Sequence, residues 1–131
     1  MEIRVDLARI IIHDNAEQQY IVLKERDGER SFPIVIGDME ANAIDRRLKK
    51  MRLPRPMTHD LLSTVIEKMD GEIEKIVIHD LKEHTFFAKL VIRQNGRVVE
   101  IDSRPSDAIA LGVAAETPLF VEDAVLREVC G

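Results

Sequence analysis

Two short polar segments of the chain combine residue types that move protons and bind phosphate. The first contains Arg55, Thr58, His59 and Asp60. Histidine exchanges protons near neutral pH, so His59 could act as a general acid or base, while Asp60 could orient its ring or hold a metal. The helix start predicted here favours a bound phosphate, which Arg55 could also contact. In the structural alternative, Thr58 and Asp60 cap the helix and His59 completes a turn.

The second polar segment lies at a predicted strand-to-helix junction and contains Asp102, Ser103, Arg104, Ser106 and Asp107. Asp102 and Asp107 are candidate catalytic carboxylates, and they could ligate Mg²⁺ or another divalent cation through oxygen. Arg104 could hold a phosphate with two parallel hydrogen bonds. In the structural alternative, Arg104 pairs with a buried aspartate to fix the junction, and Asp107 or a serine caps the helix.

A basic run precedes the first polar segment, in a chain whose net charge is −5. It places six cations within ten residues: Arg46, Arg47, Lys49, Lys50, Arg52 and Arg55. Such a patch could follow a nucleic-acid backbone, with Arg46, Lys49 and Lys50 as substrate-binding residues. The alternative is a solvated helix end whose cations complement the helix dipole. No aromatic residue interleaves with the run, so base stacking on aromatic rings is not expected there.

The other residues that could do chemistry are dispersed. Glu40 falls in the first turn of a predicted helix and is either a further candidate or a carboxylate favoured there by the helix dipole. His13, His79 and His84 are expected at the surface or in turns. The sequence contains no HExxH, GxSxG, P-loop or GxGxxG motif, so zincin, hydrolase-elbow and nucleotide-binding functions are not indicated.

The elements that must position these residues follow from apolar spacing. Strands are predicted over 3–12, 20–23, 31–36, 73–81, 85–93, 97–101 and 119–121. Pro33 puts the third strand at a sheet edge or bulge, and Asn95-Gly96 predicts a hairpin turn. Four helices are predicted. Two begin after Asp38 and Thr58, which are expected to cap them, a third begins in the second polar segment, and the last covers 123–129. Buried faces are predicted for three sets: Ala41, Ile44, Leu48 and Met51; Leu61, Leu62, Val65, Ile66 and Met69; and the apolar stretch 108–115.

Bulk composition describes one globular domain of 131 residues, 45% of them apolar. The single cysteine, Cys130, excludes an internal disulfide and is typical of a reducing compartment. The N-terminal residues 1–12 resemble a strand and not a signal peptide, and no apolar run reaches the roughly 18 residues that a membrane helix needs. We therefore predict a cytoplasmic protein that does not bind membranes and needs no organic cofactor.

Four stretches together carry a family resemblance. They are FPIVIGDMEANAI (32–44), RPMTHDLL (55–62), IDSRPSDAIALGV (101–113) and TPLFVEDAVL (117–126). In this order and spacing they resemble the bifunctional nuclease family. The resemblance covers nearly the whole chain and implies a single α+β domain over residues 1–131. It further implies a strongly bent, mixed, mostly antiparallel sheet with three to four helices, and a tendency to form homo-oligomers.

The family's name comes from plant members that degrade RNA and DNA, so the resemblance implies a nuclease of low sequence specificity. An alternative is a non-enzymatic interaction domain that self-associates, and another is a regulatory domain that binds a small ligand. The nuclease hypothesis predicts that both polar segments meet in one cleft with the basic helix at its rim. The interaction hypothesis predicts separated or bracing clusters and an exposed apolar patch.

Overall fold

The computed structural model describes residues 1–13 and 15–131. Within these residues the structure has seven strands, four α-helices and one short 3₁₀ turn. In chain order they are β1 (Glu2–Ile11), β2 (Gln18–Glu25), β3 (Ser31–Gly37), α1 (Asp38–Leu48), α2 (Thr58–Lys68), β4 (Gly71–Lys82), β5 (Thr85–Gln94), β6 (Arg97–Ser103), α3 (Pro105–Gly112), the 3₁₀ turn (Val113–Ala115), β7 (Leu119–Glu122) and α4 (Asp123–Cys130).

All seven strands belong to one sheet in the order β3-β2-β1-β7-β4-β5-β6. Among the strands of the described residues, only the pairing of β4 with β7 is parallel, so the prediction of a mixed, mostly antiparallel α+β domain is confirmed. The prediction of a strong bend was wrong, because the sheet is not strongly curled. It stays open, with β3 and β6 as its edges. Strand patterns locate pairing partners, whereas curvature depends on bulges, which occur between Leu7 and Arg9 and twice in β4.

Helices α1 and α3 complete the core. Ala41 and Ile44 of α1 are fully buried, and almost every residue of α3 is buried, as its apolar sequence predicted. Leu48 and Met51, predicted on the same face as Ile44, are exposed at 47% and 55%. The helix ends at Leu48, so its last turn and the following loop extend past the core that covers Ile44.

Helix α2 differs most from its prediction. The apolar side chains of Leu61, Leu62, Val65 and Met69 are between 42% and 61% exposed, so the predicted buried stripe was wrong. Ile66 alone of that stripe packs against the core. Helical spacing identifies an apolar face but does not tell whether another element covers it. This helix lies at the periphery with most of its apolar face open.

Two helix starts lie one residue away from the predicted caps. Asp38 and Thr58 are the first helical residues, and Gly37 and Met57 occupy the N-cap positions. In the part of the chain that the structure describes, no helix has the length and apolar character needed to span a bilayer.

Candidate active site

The first turns of three helices line one surface hollow of about 660 Å³, called here the helix-start hollow. Glu40 comes from α1, His59 from α2 and Asp107 from α3, and β6 adds Asp102. Each helix presents the positive end of its dipole at its first turn. The helix starts and the cations Arg46 and Arg104 favour an anionic group such as a phosphate, whereas the three carboxylates of the hollow oppose it.

A chain of hydrogen bonds links the three helices at this hollow. His59 Nε2 lies 2.9 Å from Asp107 Oδ1, and Arg104 Nε donates to Asp107 Oδ2 at 2.8 Å. Arg104 also reaches back to α1, where its Nη1 lies 3.5 Å from Glu40 Oε2. Arg104 is the N-cap residue of α3. The two polar segments are thus brought together, although His59 and Asp107 are 48 positions apart in the sequence.

The charge state of Asp107 fixes how the imidazole is held. Burial raises the pKa of Asp107, but hydrogen bonds from Arg104 and His59 outweigh that effect and hold the pKa below its ordinary value. An ionised carboxylate only accepts hydrogen bonds, so Nε2 of His59 must be the donor. In the neutral ring this leaves Nδ1 with a free lone pair that can take a proton.

Asp60, the neighbour of His59, is held in a bracing position. Its Oδ2 accepts the backbone N–H of Met57 at 2.9 Å, and its Oδ1 accepts a hydrogen bond from Arg47 Nη1. The N–H of Met57 is the first cause of a lowered Asp60 pKa, which burial opposes and Arg47 reinforces. These contacts favour the capping alternative for Asp60 over the catalytic one.

Arg47 is a positioning residue, a role that its place in the basic run did not indicate. Its side chain is only 14% exposed, and its Nε and Nη2 donate to the carbonyl oxygens of Ala110 and Leu111 at 2.5 and 3.3 Å. With its bond to Asp60 it joins α1, α2 and α3. The available signal was spacing, because Arg47 follows Ile44 by three residues and so lies on the buried face of α1.

The remaining predicted substrate-binding residues are spread over a wider surface. Arg46 lines the helix-start hollow, and Lys50 lines a second hollow beside it. Lys49 forms an ion pair with Asp45 at 3.0 Å. Arg55 is exposed in the loop before α2. The basic run therefore supplies cations to the rim, as the nuclease hypothesis expected, but not as one continuous patch.

The predicted cation ligands, Asp102 and Asp107, both line the helix-start hollow. Both oxygens of Asp107 already accept hydrogen bonds from Arg104 and His59. Mg²⁺ prefers several oxygen ligands in a regular array, and residues 1–13 and 15–131 contain no group of three His, Cys, Asp or Glu that could hold a metal. As arranged, these carboxylates fit a resident cation poorly, and metal binding by the pair stays a prediction.

Comparison with known sequences gives a consistent family. The model of the bifunctional nuclease domain matches residues 21–130. An uncharacterized protein of Mycobacterium tuberculosis is 35% identical over 127 residues, which is 97% of this chain and 74% of that protein. Bifunctional nuclease 2 of Oryza sativa subsp. japonica is 29% identical, covering 84% of this chain and 35% of the plant protein. Bifunctional nuclease 1 of Arabidopsis thaliana is 28% identical, over 82% of this chain and 34% of its own length.

The brace at Asp60 predicts a pH-dependent loss of stability. Since its folded pKa is lowered, Asp60 stabilises the fold above its unfolded pKa, and that contribution is lost as the pH falls through the folded pKa. We expect Asp60→Asn to lower the free energy of unfolding by about 1–2 kcal/mol at neutral pH. In urea denaturation, the gap to the unmodified protein should narrow towards about pH 3.

Asp45→Asn provides the matched control, because Asp45 pairs with the exposed Lys49 within one helix. It should change the free energy of unfolding by no more than about 0.5 kcal/mol. The bracing role of Asp60 would be contradicted if Asp60→Asn left the free energy of unfolding unchanged at neutral pH, or lowered it by the same amount at every pH.

Proposed function

This chain belongs to the bifunctional nuclease domain family, and we propose that it hydrolyses phosphodiester bonds of RNA and DNA with low sequence specificity at the helix-start hollow. The observation that carries the proposal is the convergence of His59, Asp107 and Arg104 from separate segments on one hollow. A general acid–base group, its orienting carboxylate and a phosphate-binding cation are thus within reach of one substrate.

In the proposed mechanism, His59 is the proton-transfer group. Asp107 accepts a hydrogen bond from the Nε2–H group and fixes the ring, so Nδ1 takes a proton from the attacking water or hydroxyl. The charged ring that results is stabilised by the adjacent carboxylate, and it can return the proton to the leaving oxygen. Asp107 is then a positioning residue that acts through His59.

Arg104 is proposed to bind the phosphate and to offset the charge that develops on it. Its side chain is 64% exposed and forms ion pairs with Asp107 and Glu40. The planar guanidinium can therefore present further N–H groups to two phosphate oxygens. Arg46, on the rim of the same hollow, adds a second cation.

Burial does not separate the two sets of contacts, because the side chains of His59 and Asp107 are 17% and 31% exposed against 14% and 35% for Arg47 and Asp60. Asp102, by contrast, lies exposed on β6 beside the hollow. The site is also open to solvent, which suits a long polymer better than an enclosed small ligand.

To test the nuclease proposal, labelled single-stranded RNA and DNA are incubated with the purified protein in Mg²⁺, Mn²⁺ or EDTA. We expect cleavage of both, and a loss of about 10²- to 10⁴-fold in rate for His59→Gln, because the proton-transfer group is removed. Asp107→Asn and Arg104→Met should also slow cleavage. The EDTA arm tests the predicted role of a divalent cation.

His79→Gln is the matched control, since His79 is an exposed histidine on β4 outside the hollow. It should cleave like the unmodified protein when purified in the same way. Equal activity in the His59→Gln and His79→Gln proteins would indicate a contaminating nuclease or another site, and no cleavage by the folded protein would overturn the proposal.

Self-association is the second part of the proposal, and it rests on what we call the α2–β6 surface. This surface consists of the exposed apolar side chains of two elements: Leu61, Leu62, Val65 and Met69 on α2, and Val99 and Ile101, which share one face of β6. Leu62 and Ile101 line the same hollow, so the two elements adjoin. An open apolar edge strand beside an open apolar helix face is typical of a protein interface.

We expect the protein to form a homo-oligomer in solution, measured by size exclusion with light scattering. Because a buried lysine is unfavourable at an apolar interface, Val65→Lys combined with Val99→Lys should yield monomers that retain the native circular dichroism spectrum. Val35→Lys, at an exposed valine on the opposite edge strand β3, should leave the oligomer intact. A monomeric unmodified protein, or dissociation by Val35→Lys alone, would contradict this interface.

A further inference from the structure

A second, smaller hollow of about 190 Å³ adjoins the helix-start hollow. We call it the side hollow, and its lining includes Lys50, Met51, Leu53, Arg47 and Asp60 together with residues that it shares with its neighbour. Arg46, Met57 and His59 line both hollows. A ligand in the side hollow would therefore lie directly beside the proposed proton-transfer group.

From this geometry we infer that the side hollow binds the nucleotide next to the scissile phosphate, and that the substrate is a single strand. The inference rests on the proposed nuclease function and adds a substrate class to it. A strand whose scissile phosphate is at His59 and Arg104 would continue past Arg46 into the side hollow. A base can enter such a hollow only when it is unpaired and turned out of a stack.

The walls of the side hollow match the parts of a nucleotide. Arg46 and Lys50 supply positive charge for a phosphate. Met51, Leu53 and Met57 supply an apolar wall against which a base or sugar can pack, with thioether groups where other proteins use aromatic rings. The volume of about 190 Å³ is below the roughly 300 Å³ of pockets for larger ligands, so the base or the sugar of one nucleotide fits inside and a duplex does not.

The charge of the side hollow also favours an anion. Asp60 is the carboxylate on its wall, and both of its oxygens already accept hydrogen bonds, one of them from Arg47. The negative charge of Asp60 is thereby offset within the wall. Arg46 and Lys50 then leave a positive balance beside His59 for the incoming strand.

The backbone at Lys50 distinguishes it from Lys49, the other lysine of the basic run. Lys50 has a φ of 53°, in the left-handed region, and it lies just after α1, where the N–H of Met51 donates to the carbonyl oxygen of Arg46 at 3.1 Å. Glycine is the usual residue at this position, because a side chain strains it.

Lys50→Gly separates binding from folding, since it removes the cation and relieves the strained backbone. We expect an unchanged or higher melting temperature, and kcat/KM for a short single-stranded oligonucleotide about tenfold lower, the effect of one charged contact. Cleavage of bis(4-nitrophenyl) phosphate, which has no neighbouring nucleotide, should be unaffected. Met51→Ala should show the same division between the two substrates.

Lys68→Gln is the control, as Lys68 is an exposed lysine in the last turn of α2, away from the side hollow. It should leave the rates with both substrates unchanged. Three outcomes would overturn the assignment of the side hollow as a nucleotide site while the nuclease proposal stands. They are an equal effect of Lys50→Gly on both substrates, no effect on either substrate, and cleavage of duplex as fast as of single strand.

A second readout covers the case in which the unmodified protein cleaves neither substrate, which would overturn the nuclease function. Fluorescence anisotropy then measures binding of a labelled, uncleavable phosphorothioate oligonucleotide. Weaker binding by Lys50→Gly than by Lys68→Gln supports the side hollow as a nucleotide site. Equal binding by both variants overturns it.

Discussion

The three-way contact of Arg47 is the interaction on which the proposed site depends. A largely buried guanidinium is stable only when its donors are satisfied. Here the partners are the Asp60 carboxylate and the carbonyl oxygens of Ala110 and Leu111. Helix α2, all of whose residues are described, contributes no buried residue to the core. Its position therefore depends on Ile66 and on this polar contact more than on apolar packing.

The contacts that fix the start of α2 also fix the position of His59, the neighbour of Asp60. His59 and Asp60 are consecutive, yet they face different partners: Asp60 is held by Arg47 and Met57, and His59 by Asp107. Asp60 braces the helix, while His59, the residue before it, is available for chemistry. The buried α3 supplies the other half of the arrangement, because its first turn carries Asp107 into contact with the ring. A rigid core thus positions a site on an otherwise loosely covered surface.

Much of the fold could be predicted because its signals are local. Asn95 and Gly96 both have positive φ, as their hairpin signal indicated, and Pro33 does lie on an edge strand. The uncovered face of α2 and the limited curl of the sheet could not be predicted, because both depend on packing between distant segments. The site shows the same division. Sequence indicated both polar segments, but only three-dimensional contacts distinguish Asp60, which braces, from Asp107, which orients His59.

The most direct test of this account is the ¹⁵N NMR signal of the histidine rings as an uncleavable dinucleotide phosphorothioate is added. The chain has four histidines, so each can be assigned by substitution. We predict that the free protein shows His59 protonated on Nε2 when its ring is neutral, and that the dinucleotide shifts the ring signals of His59 while those of His79 and His84 stay in place. A His59 ring protonated on Nδ1, or unaffected by a dinucleotide that binds, would contradict the account.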